Sequence, residues 1–128
     1  MESKSKIFSY KRALTSARKA GLLIPLIARH TADKALLNLQ FNDKKASVFW
    51  EKLIKSAVSS FSNADASHIL IEEAYVGPGT TRKTGRVGSR SRFKRILKRR
   101  AHLYIRVSLL EEKETPKKAS KKVNSKEK

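Results

Sequence analysis

A chain of 128 residues and 14.5 kDa holds one modest core and not two, which argues against a multi-domain enzyme. Its 30 Lys and Arg against 11 Asp and Glu give a formal charge of +19 and a pI near 10.6, a surplus that repels itself and calls for a polyanionic partner. The absence of cysteine excludes disulfides, thiolate catalysis and cysteine-based zinc sites, and makes a reducing interior the default expectation.

The alternation of Ile7, Phe8, Ser9, Tyr10 and Lys11 predicts a first strand from about Lys6 to Arg12. Thr15 or Ser16 then caps a helix carrying Ala17, Ala20, Leu23, Ile24 and Ile27. Pro25 removes a backbone donor and clashes with the carbonyl of Gly21, so a kink or two short helices is expected. Thr31 caps a short helix with Ala32, Ala35, Leu36 and Leu39 on one side, and Asn42 or Asp43 caps a third. Ala46, Phe49, Trp50, Leu53, Ile54, Ala57, Val58 and Phe61 give that third helix a continuous apolar stripe, which makes Trp50 a core residue. His68 to Val76 reads as a strand, and Leu103, Ile105, Val107 and Leu109 form one face of another, opposite Tyr104, Arg106 and Ser108.

The connector between those two strands, about 25 residues long, is too long for an idle loop. It reads instead as a two-stranded ribbon turning near Gly85 to Ser89, with about a dozen residues per arm and a reach of about 40 Å at roughly 3.3 Å per residue. Such a ribbon has little core of its own and needs support from a partner, and its charge points to nucleic acid as that partner. Between Glu73 and Glu111 there is no acidic residue, while eight Arg and three Lys stand between Arg82 and Arg106. A merely solvated face mixes both signs and uses Lys as readily as Arg. Guanidinium groups grip phosphate oxygens in pairs and stack on bases, which favours folded RNA as the ligand. The segment from Thr31 to Glu73 is close to neutral, and the sequence from Glu111 onward mixes Lys and Glu as a disordered tail does.

Other chemistries find little support. Gly77 to Thr84 has the outline of a phosphate-binding loop, but Arg82 occupies the glycine position before Lys83 and Thr84, and a strand rather than a helix is expected to follow. His30, His68 and His102 are scattered and lack cysteine companions, so no metal site is expected. Glu72 and Glu73 point to opposite faces of a strand, a poor geometry for paired acid and base catalysis. No cofactor is expected and the protein reads as non-catalytic. The longest strongly apolar stretch, Gly21 to Ala28, is far short of the roughly 20 residues a membrane span needs, and no signal-peptide segment follows Met1 to Lys6. No membrane partner is expected, and the sequence is expected to begin with the mature chain.

Ser16-Ala-Arg-Lys19, Lys44-Lys-Ala-Ser47 and Leu53-Ile-Lys-Ser-Ala57 resemble the large ribosomal subunit protein 22 family. Tyr75-Val-Gly-Pro-Gly79, the basic connector, Arg95-Ile-Leu-Lys-Arg99 and Ala101-His102 extend that resemblance, in order and spacing, over about residues 5 to 108. Departures from the family pattern at Pro25, at Ala28-Arg29 and at Gly88-Ser-Arg-Ser-Arg92 suggest a divergent bacterial or an organellar source.

The resemblance implies an α+β fold: three helices packed on a small three-stranded antiparallel sheet, with a long basic β-hairpin. The expected division is one domain over residues 1–112, including the hairpin at about 77–101, and a disordered Lys/Glu-rich tail over 113–128. It also implies a structural constituent of the large subunit in a cytoplasmic bacterial ribosome, or an organellar one. Such a protein binds ribosomal RNA, supports assembly, contacts neighbouring large-subunit proteins and meets the nascent polypeptide in the exit tunnel. By position, Arg18, Lys19, Arg92, Arg95, Lys98, Arg99 and His102 are expected to contact RNA, and Arg86, Val87, Gly88, Ser89 and Arg90 to form a tunnel-lining tip. Lys11, Arg12, Arg82, Lys83, Lys94 and Arg100, with Arg86 and Arg90 of the tip, complete the set of expected RNA-binding residues. The alternative reading is a free RNA- or DNA-binding accessory protein that uses the same ribbon outside the ribosome.

Overall fold

The computed structural model describes residues 5–61 and 64–110; the expected tail over 113–128 lies outside them. In chain order the described elements are β1 (Lys6–Ala13), α1 (Ala17–Gly21), α2 (Ile24–Ile27), α3 (Ala32–Gln40), α4 (Ala46–Ser59), β2 (Ile69–Pro78), β3 (Arg82–Val87), β4 (Phe93–Lys98) and β5 (Ala101–Leu109). The strands β1, β5 and β2 form an antiparallel sheet in that spatial order, and β3 pairs with β4 as a second, two-stranded sheet. The α+β architecture is the one expected.

Pro25 accounts for the division of the first expected helix into α1 and α2. Ser16 caps α1, its Oγ accepting from the Lys19 N–H at 3.3 Å. Pro25 then stands in the first turn of α2, where its missing N–H leaves no helical bond unmade. Thr31 occupies the N-cap of α3 as expected. The cap of α4 differs from expectation: Lys45, not Asn42 or Asp43, is the N-cap. Asn42 is used one turn earlier, where its Oδ1 accepts from the Lys44 N–H at 3.0 Å, while the Ser47 hydroxyl donates to the Lys44 carbonyl at 2.7 Å.

The helices cover one face of the three-stranded sheet, with α4 against β1 and β5, and α1 and α2 against β2. Leu23, Ile27, Leu39, Trp50, Ile54, Ile69, Ile71, Leu103, Ile105 and Val107 are fully buried between the layers. The α4 stripe follows from its 3.6-residue period, since Ala46, Trp50, Leu53, Ile54 and Ala57 are all buried. On β5 the expected alternation holds for Leu103, Ile105 and Val107 but stops at its end, where Leu109 is exposed and Ser108 is buried. His68 belongs to a short 3-10 turn that precedes β2 rather than to the strand. The free edge of β2 is partly covered by the α2–α3 link: Arg29 N–H donates to the Ile71 carbonyl and Ile71 N–H donates to the His30 carbonyl, at 2.8 and 3.0 Å.

Trp50 ties the layers together through its indole N–H, which donates to the Ala20 carbonyl at 3.2 Å inside the core. Trp50→Phe will remove the buried indole donor, leaving the Ala20 carbonyl with the Leu23 N–H alone, and open a void beside it, costing about 1–3 kcal/mol. Urea unfolding followed by circular dichroism measures this loss.

Candidate nucleic-acid interface

The β3–β4 register divides the ribbon into two unlike faces, because directly opposed residues of an antiparallel pair project to the same side. Arg82 opposes Lys98, Thr84 opposes Ile96 and Arg86 opposes Lys94, so one face carries four cations around a Thr–Ile pair. Lys83 opposes Leu97, Gly85 opposes Arg95 and Val87 opposes Phe93, so the other face is apolar and aromatic with two flanking cations. Apart from Thr84, which is half-buried, every paired residue of the ribbon is exposed. Among the described residues the ribbon's cations have no carboxylate partner; the ion pairs there join Lys55 to Glu51 and Arg106 to Glu73.

The turn lies at Gly88–Arg92, further along than the expected Gly85 to Ser89, and each paired arm is six residues rather than about a dozen. Gly88 N–H donates to the Arg92 carbonyl at 2.6 Å, closing a loop in which Arg90 and Ser91 take positive φ of 55° and 57°. Gly85 therefore serves a purpose other than turning. Gly85 lies within β3, where the far edge of the Phe93 ring occupies the space a Cβ would fill. Arg86 and Val87, expected at the tip, belong to β3.

At the ribbon's base the charges converge with those of the globular domain. A cleft of about 800 Å³ is lined by Leu14, Thr15, Ser16, Lys19, Lys44, Lys45, Ala46, Leu97 and Arg99. It brings the α1 and α4 N-termini beside the end of β4. No acidic side chain stands in the first turn of either helix, so their N-terminal dipoles add to the positive potential. A neighbouring hollow joins Arg18, Arg99 and Arg100, and a third joins Arg12, Arg82 and Arg100. Together these surfaces form a cationic belt suited to a phosphate backbone.

The belt rests on a β-bulge. The pairing of β1 with β5 shifts between Tyr10 and Ala13, and Arg12 there adopts a positive φ of 60°. His102 Nδ1 accepts from the Arg12 N–H at 3.0 Å, and the Arg100 guanidinium donates to the Arg12 carbonyl at 3.5 Å. Two of the expected RNA-binding residues thus also hold the backbone from which Lys11 and Arg12 project.

The model of the family described as ribosomal protein L22p/L17e matches residues 8–108. The chain belongs to that family. It is 39% identical to the large ribosomal subunit protein uL22 of Metamycoplasma arthritidis over 97% of its own length and 64% of the relative's, so it spans somewhat less than two thirds of that protein. It is 36% identical to the uL22 protein of Dinoroseobacter shibae, with 77% of the chain and 80% of the relative aligned. The uL22 protein of Paracoccus denitrificans is 31% identical over 80% of the chain and 84% of the relative. Membership in a ribosomal-protein family bears out the expectation of a non-catalytic protein.

Within this L22p/L17e domain, Arg18, Lys19 and Arg99 meet at the belt, while Arg82, Arg86, Lys94 and Lys98 share one ribbon face. Lys83 and Arg95 fall on the opposite face, and Arg90 and Arg92 sit at the turn. A strand follows Arg82, as expected, in place of the helix a phosphate-binding loop needs. Glu73 faces Arg106, its carboxylate 3.3 Å from the guanidinium. Lys44 and Lys45 are absent from the expected RNA-binding set because they lie in the most nearly neutral part of the sequence; only the fold brings them to Lys19 and Arg99. Their adjacency just before the apolar stripe, with no acid in the helix's first turn, was the signal available.

Proposed function

We propose that this chain is a structural constituent of the large ribosomal subunit that binds ribosomal RNA through its ribbon and the belt at the ribbon's base. The bacterial uL22 relatives support a place in a cytoplasmic bacterial-type ribosome. The observation that carries RNA binding is the ribbon face of Arg82, Arg86, Lys94 and Lys98, exposed and without carboxylate partners among the described residues. Such a surface is costly in self-repulsion unless a polyanion neutralises it, and each phosphate it neutralises releases condensed counterions. The globular core holds the base of the ribbon, so RNA segments that meet there are fixed relative to one another, which is how the protein supports assembly. Neighbouring large-subunit proteins are its further partners.

The same reading gives the turn a place in the wall of the nascent-chain exit tunnel. Arg86 and Arg90 hold phosphates of the wall, and Val87, Gly88 and Ser89 between them meet the emerging polypeptide. Sedimentation of source-cell lysates in high salt tests the proposal. The protein is expected to remain with large subunits; recovery in the free pool would favour an accessory RNA- or DNA-binding protein instead.

A further inference from the structure

The apolar face of the ribbon is not explained by phosphate binding. Phe93 is 70% exposed and Val87 75%, on a strand pair that packs on no core. Phe93 lies diagonally across from Gly85, and a Cβ at Gly85 would collide with the ring. Glycine weakens a strand, so its presence mid-strand marks a close approach, here by an aromatic ring. The far edge of the ring is thereby seated while most of its surface stays open. Arg95, the direct partner of Gly85, and Lys83 project from the same face. An exposed aromatic ring flanked by cations and free of acids matches the chemistry of a single-stranded nucleic acid, with a base on the ring and phosphates on the cations.

We propose that Phe93 is a base-stacking platform for an unpaired RNA nucleotide, with Gly85 as the positioning residue that seats its ring. The proposal rests on the reading that the ribbon binds RNA. It adds to that reading a contact that recognises a base rather than a phosphate. Because every base presents a π-face, the site tolerates different bases but requires one to be unpaired.

The test compares the affinity of the full chain for a short oligouridylate and for an abasic ribose-phosphate strand of equal length and charge. Stacking worth about 1–3 kcal/mol corresponds to a preference of roughly 5- to 150-fold for the strand with bases. Phe93→Leu keeps an apolar side chain but removes the π-face, and is expected to abolish the preference while leaving the salt dependence intact. Phe93→Trp is expected to restore it. Gly85→Ala is expected to lower it although Phe93 remains. If Phe93→Leu weakens both strands equally, or retains the preference, the ring is not a stacking platform. If the unaltered chain shows no salt-dependent affinity for large-subunit ribosomal RNA, the underlying reading fails as well, and that result is distinct from loss of the base preference alone.

Discussion

Leu53→Asp will abolish the folded domain. Leu53 is only 3% exposed and lies in α4 between Trp50 and Ala57, which are also buried. An aspartate there finds no cationic partner among the apolar residues of the stripe, and burying it unpaired costs more than a domain of this size can absorb from a total stability of roughly 5–15 kcal/mol. Circular dichroism should show loss of helical signal, and mass spectrometry of purified large subunits should show loss of the protein. Phe41→Asp supplies the contrast, since Phe41 is 85% exposed at the end of α3. That change should move stability by no more than about 0.5 kcal/mol.

The second large effect is on RNA affinity. Replacing Arg82, Arg86, Lys94 and Lys98 together by Gln removes the cations from one ribbon face and leaves the core untouched. If each holds one phosphate, the slope of log affinity against log salt should flatten by roughly 3 to 4 units, using about 0.7 per contact on single strands and 0.9 on duplex. Affinity in 0.1 M salt should then fall by about three orders of magnitude. A salt titration with large-subunit ribosomal RNA measures both. Neutralising Lys34, Lys52 and Lys55, which lie on α3 and α4 away from the ribbon, should change the slope far less.

The fold was legible where a pattern repeats within one element. The stripe on α4 needs only its 3.6-residue spacing, and the burial of Leu103, Ile105 and Val107 needs only alternation along β5. The ribbon was legible from a second kind of signal, a long acid-free stretch that no compact loop would require. Features set by contacts distant in sequence were not legible. The bulge at Arg12 depends on a ring 90 residues away at His102. The position of the turn depends on which residues of β3 and β4 oppose each other, and the seating of Phe93 over Gly85 and the pairing of Val87 with Phe93 place it at Gly88–Arg92. Gly85 therefore carries the composition of a turn but sits in β3 against the Phe93 ring. The belt has the same character. Lys44 and Lys45 lie in a charge-balanced stretch and become part of a cationic surface only when α4 is brought beside α1 and β4.

The most direct test is a cryo-EM map of the large ribosomal subunit from the source cell. Residues 82–98 are expected to be enclosed by ribosomal RNA, with the face of Arg82, Arg86, Lys94 and Lys98 against phosphates and the turn at Gly88–Arg92 reaching the exit tunnel. A map in which the chain is absent from the subunit, or in which its ribbon lies on the outer surface away from RNA, would contradict this expectation.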